Sequence, residues 1–163
     1  MVREISDLAR NNLDEVRRLA TGLFPVKIEQ NGLEWALEEL ATGTTARSHT
    51  KCSFIMRPLI TFKDQYAAVQ LFRIAQEAVS NAVRHGKARN VILELTANNG
   101  TVNLSICDDG AGLSATSANS GLGLHTMKYR ARSLGGSLEI SSEAGRGTTV
   151  ICSVPVKELV HAE

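Results

Sequence analysis

The amino-acid sequence predicts an α+β domain with helices covering one face of a mostly antiparallel sheet. Three observations lead there. Runs with strand periodicity, Val91 to Ala97, Thr101 to Cys107, Ser137 to Ser142 and Thr148 to Val156, are joined by turn signals at Asn98, Asn99 and Gly100 and again from Gly145 to Gly147. A long segment from about Gln65 to His85 places Leu71, Ile74, Ala75, Ala78, Val79, Ala82 and Val83 at helical spacing. The 163 residues, 43% of them hydrophobic, suffice for one globular domain or one domain with an appendage and exclude disorder.

The charge is as informative as the periodicity. Eighteen Lys and Arg against 17 Asp and Glu leave a net charge of +1, so the basic surplus that nucleic acid or a membrane surface demands is missing. No stretch approaches the roughly 20 apolar residues of a membrane span, and Val2 to Asp7 lacks a signal-peptide core. A small or proteinaceous partner, no nucleic acid, no membrane contact by this segment and a cytoplasmic location are therefore expected. Cys52, Cys107 and Cys152 are odd in number and form no C-x-x-C pair, and Cys152 shares a strand face with Val150, Val154 and Val156, so they read as structural thiols in a reducing compartment.

The remaining elements follow in order. Val2, Ile5, Ala9, Val16, Leu19 and Leu23, with Asn12 in the one polar slot, form an alternating three-four seam. Such a seam fits an intermolecular bundle helix, or an amphipathic helix lying on its own domain. Pro25 breaks it, and Gln30, Asn31 and Gly32 open a second helix from Leu33 to Ala41 that Gly43 ends. A polar connection from Gly43 to Thr50 leads to a strand between Cys52 and Phe62, and Gly86 is placed to cap the long helix. After the hairpin, a small-residue stretch from Leu113 to Ser120 precedes a helix from Leu122 to Leu134.

Four pieces carry chemistry. Glu77 and Asn81 are four apart, hence on one helix face; a carboxylate can orient or deprotonate a nucleophile and an amide oxygen can ligate Mg²⁺, although such a spacing alone far more often describes a solvated face. Asp108, Gly110 and Gly112 follow a strand at once, where glycines permit close backbone approach and a carboxylate can accept a bond from an amino group; alone this is equally a Gly-rich loop. Gly121 and Gly123, with Leu124 beside them, open a helix whose free N–H groups suit phosphate oxygens. Gly145, Gly147 and Thr148 form a turn. Thr126 stands where a dinucleotide fingerprint needs its third glycine, and no Walker-type run exists.

In this order the four pieces resemble the N, G1, G2 and final G boxes of the histidine-kinase ATP-binding domain, the Bergerat fold shared with gyrase, heat-shock chaperone and mismatch-repair ATPases. The resemblance covers Gln65 to Pro155. The run from Phe72 to Gly86, the short Leu113 to Ser120 lid and Gly121 to Met127 are similar to the nitrate-sensor and desaturase-regulator type of sensor kinase, and the segment from Val16 through Pro25 to Gly32 and Leu33 is similar to the end of that group's dimerisation hairpin and its link to the ATPase, with Phe24-Pro25 where the group often has Arg-Pro. The resemblance implies a two-layer sandwich, with residues 1–24 as the second hairpin helix and 25–163 as the ATP-binding domain. It implies ATP and Mg²⁺ as cofactors, Asp108 on the adenine amino group, Gly110 and Gly112 passing the base, Asn81 on Mg²⁺ and Glu77 activating the nucleophile. Gly121 and Gly123 would anchor the lid, Gly147 and Thr148 would close the adenine pocket, and His85 and Lys87 would neighbour the phosphates or serve as surface residues.

None of His49, His85, His125 and His161 has the setting of a phosphoacceptor. The resemblance therefore implies that the acceptor helix lies upstream, that the chain is one part of a homodimeric protein which is membrane-anchored or not, and that a response regulator is the final partner. Two other readings stay open: a nucleotide-binding module without transfer activity, and another Bergerat ATPase such as an anti-sigma-factor serine kinase.

Overall fold

The computed structural model describes residues 26–57, 60–112, 122–155 and 159–161. The expected helix from Val2 to Leu23, the Leu113 to Ser120 lid and Gly121 lie outside the described residues. In chain order the elements are α1 (Val26–Arg47), β1 (Lys51–Arg57), β2 (Ile60–Phe62), α2 (Gln65–Asn81), a π-helical turn (Ala82–Gly86), β3 (Asn90–Asn98), β4 (Thr101–Asp108), α3 (Leu122–Ser133), β5 (Ser137–Glu143), β6 (Gly147–Pro155) and β7 (Leu159–His161).

Among the described residues five strands form one mixed sheet in the order β1-β3-β4-β6-β5, parallel between β1 and β3 and antiparallel elsewhere. The antiparallel pairing of β3 with β4 is closed by a two-residue turn in which Asn99 and Gly100 both have positive φ, 49° and 75°, the geometry that matches strand twist. Alternation then assigns the faces. Val91, Leu93, Leu95 and Ala97 of β3, Val102, Leu104 and Ile106 of β4, and Val150, Cys152 and Val154 of β6 are buried, whereas their sequence neighbours face outward. Helices α1, α2 and α3 cover the buried face, with Leu33 and Leu37 of α1, Leu71 and Ile74 of α2, and Met127 and Ala131 of α3 all but inaccessible.

Four sequence expectations are corrected. Gly43 does not end α1, which runs on to Arg47. Thr44 Oγ1 donates to the Leu40 carbonyl at 2.7 Å and Ser48 Oγ to the Thr44 carbonyl at 2.8 Å, so hydroxyls that favour loops bond back into the helix instead. The helix breaks at Gly32 (φ 81°, ψ 172°), the residue expected to open its Leu33 segment. The supposed polar connection is thus largely helical, and its last residue, Thr50, is buried with its hydroxyl donating to the Ala88 carbonyl at 2.8 Å. The single strand from Cys52 to Phe62 is two: β1 stops at Arg57, immediately before Pro58, which has no N–H for the ladder, and β2 pairs instead with β7, which the sequence pattern did not anticipate.

The fourth correction concerns the end of α2. The Ala82–Gly86 segment widens into a π turn, which shifts the left-handed cap one residue on, from Gly86 to Lys87 (φ 49°). Asp64 caps the other end, its Oδ1 accepting the Ala67 N–H at 3.0 Å. Cys152 is fully buried, as its strand pattern implied, and burial pushes both it and Cys52 up to about 11, whereas Cys107 faces outward and its Sγ accepts from Thr149 Oγ1 at 3.5 Å.

Candidate functional site

A pocket opens on the helix side of the sheet, between the end of α2, the start of α3 and the facing ends of β4 and β6. Its inner wall is apolar: Ala78 from α2, Ala82 from the π turn, Ile106 and Val150 from the sheet, and Leu124 and Met127 from α3. The two alanines leave open a slot between the helix end and the strands that larger side chains would fill. The polar lining comes from Asn81, His85, Asp108 and Thr148.

Strand parity places the carboxylate. Asp108 continues the inward series Val102, Leu104 and Ile106 at the end of β4, so it faces the slot from a half-buried position. Its Oδ1 accepts the Gly110 N–H at 2.8 Å. Burial raises its pKa from the ordinary 3.8, opposed by hydrogen bonds from the Gly110 and Thr148 backbone and reinforced by the adjacent Asp109 charge. The result is an acceptor with limited solvation aimed at an apolar slot, suited to a neutral N–H donor.

The loop after Asp108 is tied down on both sides. Gly110 is buried so closely on the π turn that a Cβ would stand 2.6 Å from the Gly86 carbonyl oxygen and 2.8 Å from Asp108 Oδ1, which leaves glycine as the residue that fits. The Ala111 N–H donates to the same Gly86 carbonyl at 2.8 Å, and the Ala111 carbonyl accepts from the Gly145 N–H at 2.8 Å. Ala111 thereby joins the end of α2, the loop and the β5–β6 turn. Gly112 lines the pocket, and Gly147 packs against the Asp108 backbone.

Of the sequence-derived residues, Asn81, His85, Asp108, Gly112, Leu124 and Thr148 converge on the pocket. Gly110 and Gly147 buttress it from behind. Glu77 stands one helical turn before Asn81 and does not line the slot; its carboxylate lies against Gly123 at the start of α3, where a Cβ would overlap it. Lys87 is exposed beyond the π turn. Apart from Leu124, the apolar wall was not singled out as part of a site, although Ala78 and Ala82 on the core-facing stripe beside Asn81, and Met127 three residues after Leu124, carried the signal. Among the described residues no group of three or more His, Cys, Asp and Glu side chains could hold a metal by itself.

A carboxylate at a strand end above an apolar slot, glycine loops around it and a mixed sheet covered by helices on one face define the Bergerat fold. The chain belongs to the histidine kinase-, DNA gyrase B- and HSP90-like ATPase family, which matches residues 66–158. Among curated proteins it is similar to the sensor histidine kinase LiaS of Bacillus subtilis, 33% identical over 95% of this chain and 43% of that protein, and to the nitrate/nitrite sensor protein NarX of Escherichia coli, 30% identical over 99% of this chain and 28% of that protein. The chain thus spans less than half the length of these relatives. Among solved structures it resembles the histidine kinase domain of the Erythrobacter litoralis EL346 blue-light activated histidine kinase (TM-score 0.65, 21% identity, 76% of this chain and 61% of that one) and the ATP binding domain of PrrB from Mycobacterium tuberculosis (TM-score 0.60, 20% identity, 77% and 95%).

Proposed function

We propose that this chain is the catalytic ATP-binding domain of a sensor histidine kinase, holding Mg-ATP and presenting its γ-phosphoryl group to a histidine on a dimerisation helix. The observation that carries the reading is the inward Asp108 carboxylate at the end of β4, facing a slot lined by Ala78, Ala82, Ile106 and Met127. Adenine fits that slot as a flat apolar body with one amino edge, and the 6-amino group donates to Asp108. The triphosphate then extends toward α3, past Asn81 and His85 and toward the N–H groups of the helix start at Gly123 and Leu124.

Asn81 offers its side-chain oxygen to Mg²⁺, an ion that usually keeps several waters and takes phosphate oxygens as well. Bound there, Mg²⁺ would neutralise triphosphate charge. Glu77, a turn earlier, orients the approaching imidazole. The imidazole nitrogen bonds to the γ-phosphorus as the bond to the bridging oxygen breaks, and ADP leaves with that electron pair. Such a transfer is chiefly positioning and charge neutralisation, which a rigid pocket on a sheet supplies. From phosphohistidine the group passes to a response regulator, and the whole protein acts as a homodimer, as the seam from Val2 to Leu23 favours.

Titration calorimetry with ATP tests the carrying observation: Asp108→Ala should remove most of the affinity while the fold is retained by circular dichroism, and an unchanged isotherm overturns the reading. Asn81→Ala should bind nucleotide with no response to added Mg²⁺. Supplying a separate helical hairpin that carries a sensor-kinase acceptor histidine, with γ-labelled ATP, tests transfer. Label on the hairpin that disappears in Glu77→Gln supports the kinase reading; tight ATP binding with no transfer at any hairpin concentration opposes it.

A further inference from the structure

Asp109 follows the pocket carboxylate but faces away from it, and it is engaged more densely than any role in the slot requires. Its Oδ1 accepts the Arg89 N–H and the Asn90 N–H, each at 2.8 Å; its Oδ2 accepts Asn90 Nδ2 at 2.7 Å; and its own N–H donates to the Asn90 carbonyl at 3.2 Å. One exposed residue thus makes four hydrogen bonds to a two-residue segment. These bonds hold its pKa below the ordinary 3.8, the Asn90 side chain foremost.

The segment it grips is a junction. Residues 88 to 90 carry the chain from the π turn into β3: the Ala88 N–H donates to the Ala82 carbonyl at 3.0 Å, the Ala88 carbonyl accepts from Thr50, and the Arg89 carbonyl accepts the Lys51 N–H at 2.8 Å. Asp108 itself forms the last rung of the ladder, opposite Val91 on one side and Thr148 on the other. The pocket carboxylate therefore stands between two straps, Asp109 to residues 89 and 90 and Ala111 to Gly86, and both run to the exit of the helix that carries Asn81.

We propose that Asp109 is a positioning residue that sets base selectivity: by clamping Arg89 and Asn90 to the end of β4 it fixes the Asp108 carboxylate at the point where a 6-amino group, and not a 6-oxo group, is accepted. The inference rests on the proposed role of Asp108. Its ligand chemistry is a purine nucleotide with an exocyclic amine, so the probe for the opposite polarity is inosine triphosphate, which carries an oxygen in place of that amine.

Calorimetric titration of the wild-type chain and the variants Asp108→Asn, Asp109→Ala and Asp109→Asn with ATP and with inosine triphosphate tests this. The wild type should prefer ATP, and Asp109→Ala should weaken ATP binding by about tenfold, the scale of one well-placed hydrogen bond, while inosine triphosphate binding changes little. Asp109→Asn keeps an Oδ1 for both backbone N–H groups and should restore most of the preference. A merely structural role would weaken both nucleotides alike, so equal losses in Asp109→Ala, or no loss, overturn the inference. Preference lost in Asp108→Asn but kept in Asp109→Ala removes the role of Asp109 alone. A wild type without preference, matched by Asp108→Asn, removes the adenine reading of Asp108 and this inference together.

Discussion

At the scale of single residues, two adjacent aspartates show how strand parity divides labour. Asp108 faces an apolar slot and has its pKa raised chiefly by burial; Asp109 faces solvent and has its pKa lowered by the hydrogen bonds it accepts. Their contributions to stability against pH have opposite signs. A raised folded-state value means that the native state holds its proton more tightly, so the contribution of Asp108 is full below 3.8 and is lost as pH rises through its folded value. The contribution of Asp109 is full above 3.8 and is lost as pH falls through its depressed folded value. Urea unfolding between pH 2.5 and pH 6 should then show a steeper rise of stability with pH in Asp108→Asn than in wild type, and a shallower one in Asp109→Asn. Equal slopes in all three proteins contradict the assignment.

At the scale of elements, the end of α2 decides the site. The amphipathic stripe of Leu71, Ile74, Ala75, Ala78 and Val79 fixed the helix and its buried face from sequence, because burial repeats every 3.6 residues whatever the partner. The strand alternation that buries Val102, Leu104 and Ile106 carried Asp108 into the pocket just as directly. The π turn was not legible, since its wider winding depends on Gly86 meeting Gly110 and Ala111, residues about 25 positions away in sequence, and the cap moved to Lys87 in consequence. The same holds for β7, whose three residues find β2 only through tertiary pairing. Lys87 at φ 49° bears a left-handed penalty, so Lys87→Gly should stabilise the domain by roughly 0.5–1 kcal/mol. Measured beside ATP affinity, that variant also separates a phosphate contact from a cap, since a cap alone leaves binding unchanged. Gly123→Ala tests the junction with α3: its methyl overlaps the Glu77 carboxylate, so either Glu77 or the helix start must shift. Transfer to a supplied acceptor should fall in Gly123→Ala while the melting temperature stays within a few degrees of wild type.

At the scale of the whole molecule, β4 is both the structural centre and the arm that carries the ligand group. It pairs with β3 on one side and β6 on the other, buries Val102, Leu104 and Ile106 beneath α2, and ends two rungs later at Asp108. Damage to its middle must therefore reach both stability and binding, and the two can be separated by mass action. Leu104 is fully buried, so Leu104→Ala should cost about 2–5 kcal/mol, a large share of the roughly 5–15 kcal/mol that holds a domain of this size together. A ligand that binds only the folded form returns part of that loss: at a hundred times its Kd, ATP should restore about 2.7 kcal/mol. Thermal melts with and without Mg-ATP should show Leu104→Ala strongly lowered and then raised by nucleotide. Asp108→Ala should melt near the wild-type temperature and gain nothing, because its core is intact and its acceptor is gone. A nucleotide-induced rise in Asp108→Ala equal to that in Leu104→Ala would mean that the ligand is held elsewhere than at the end of β4.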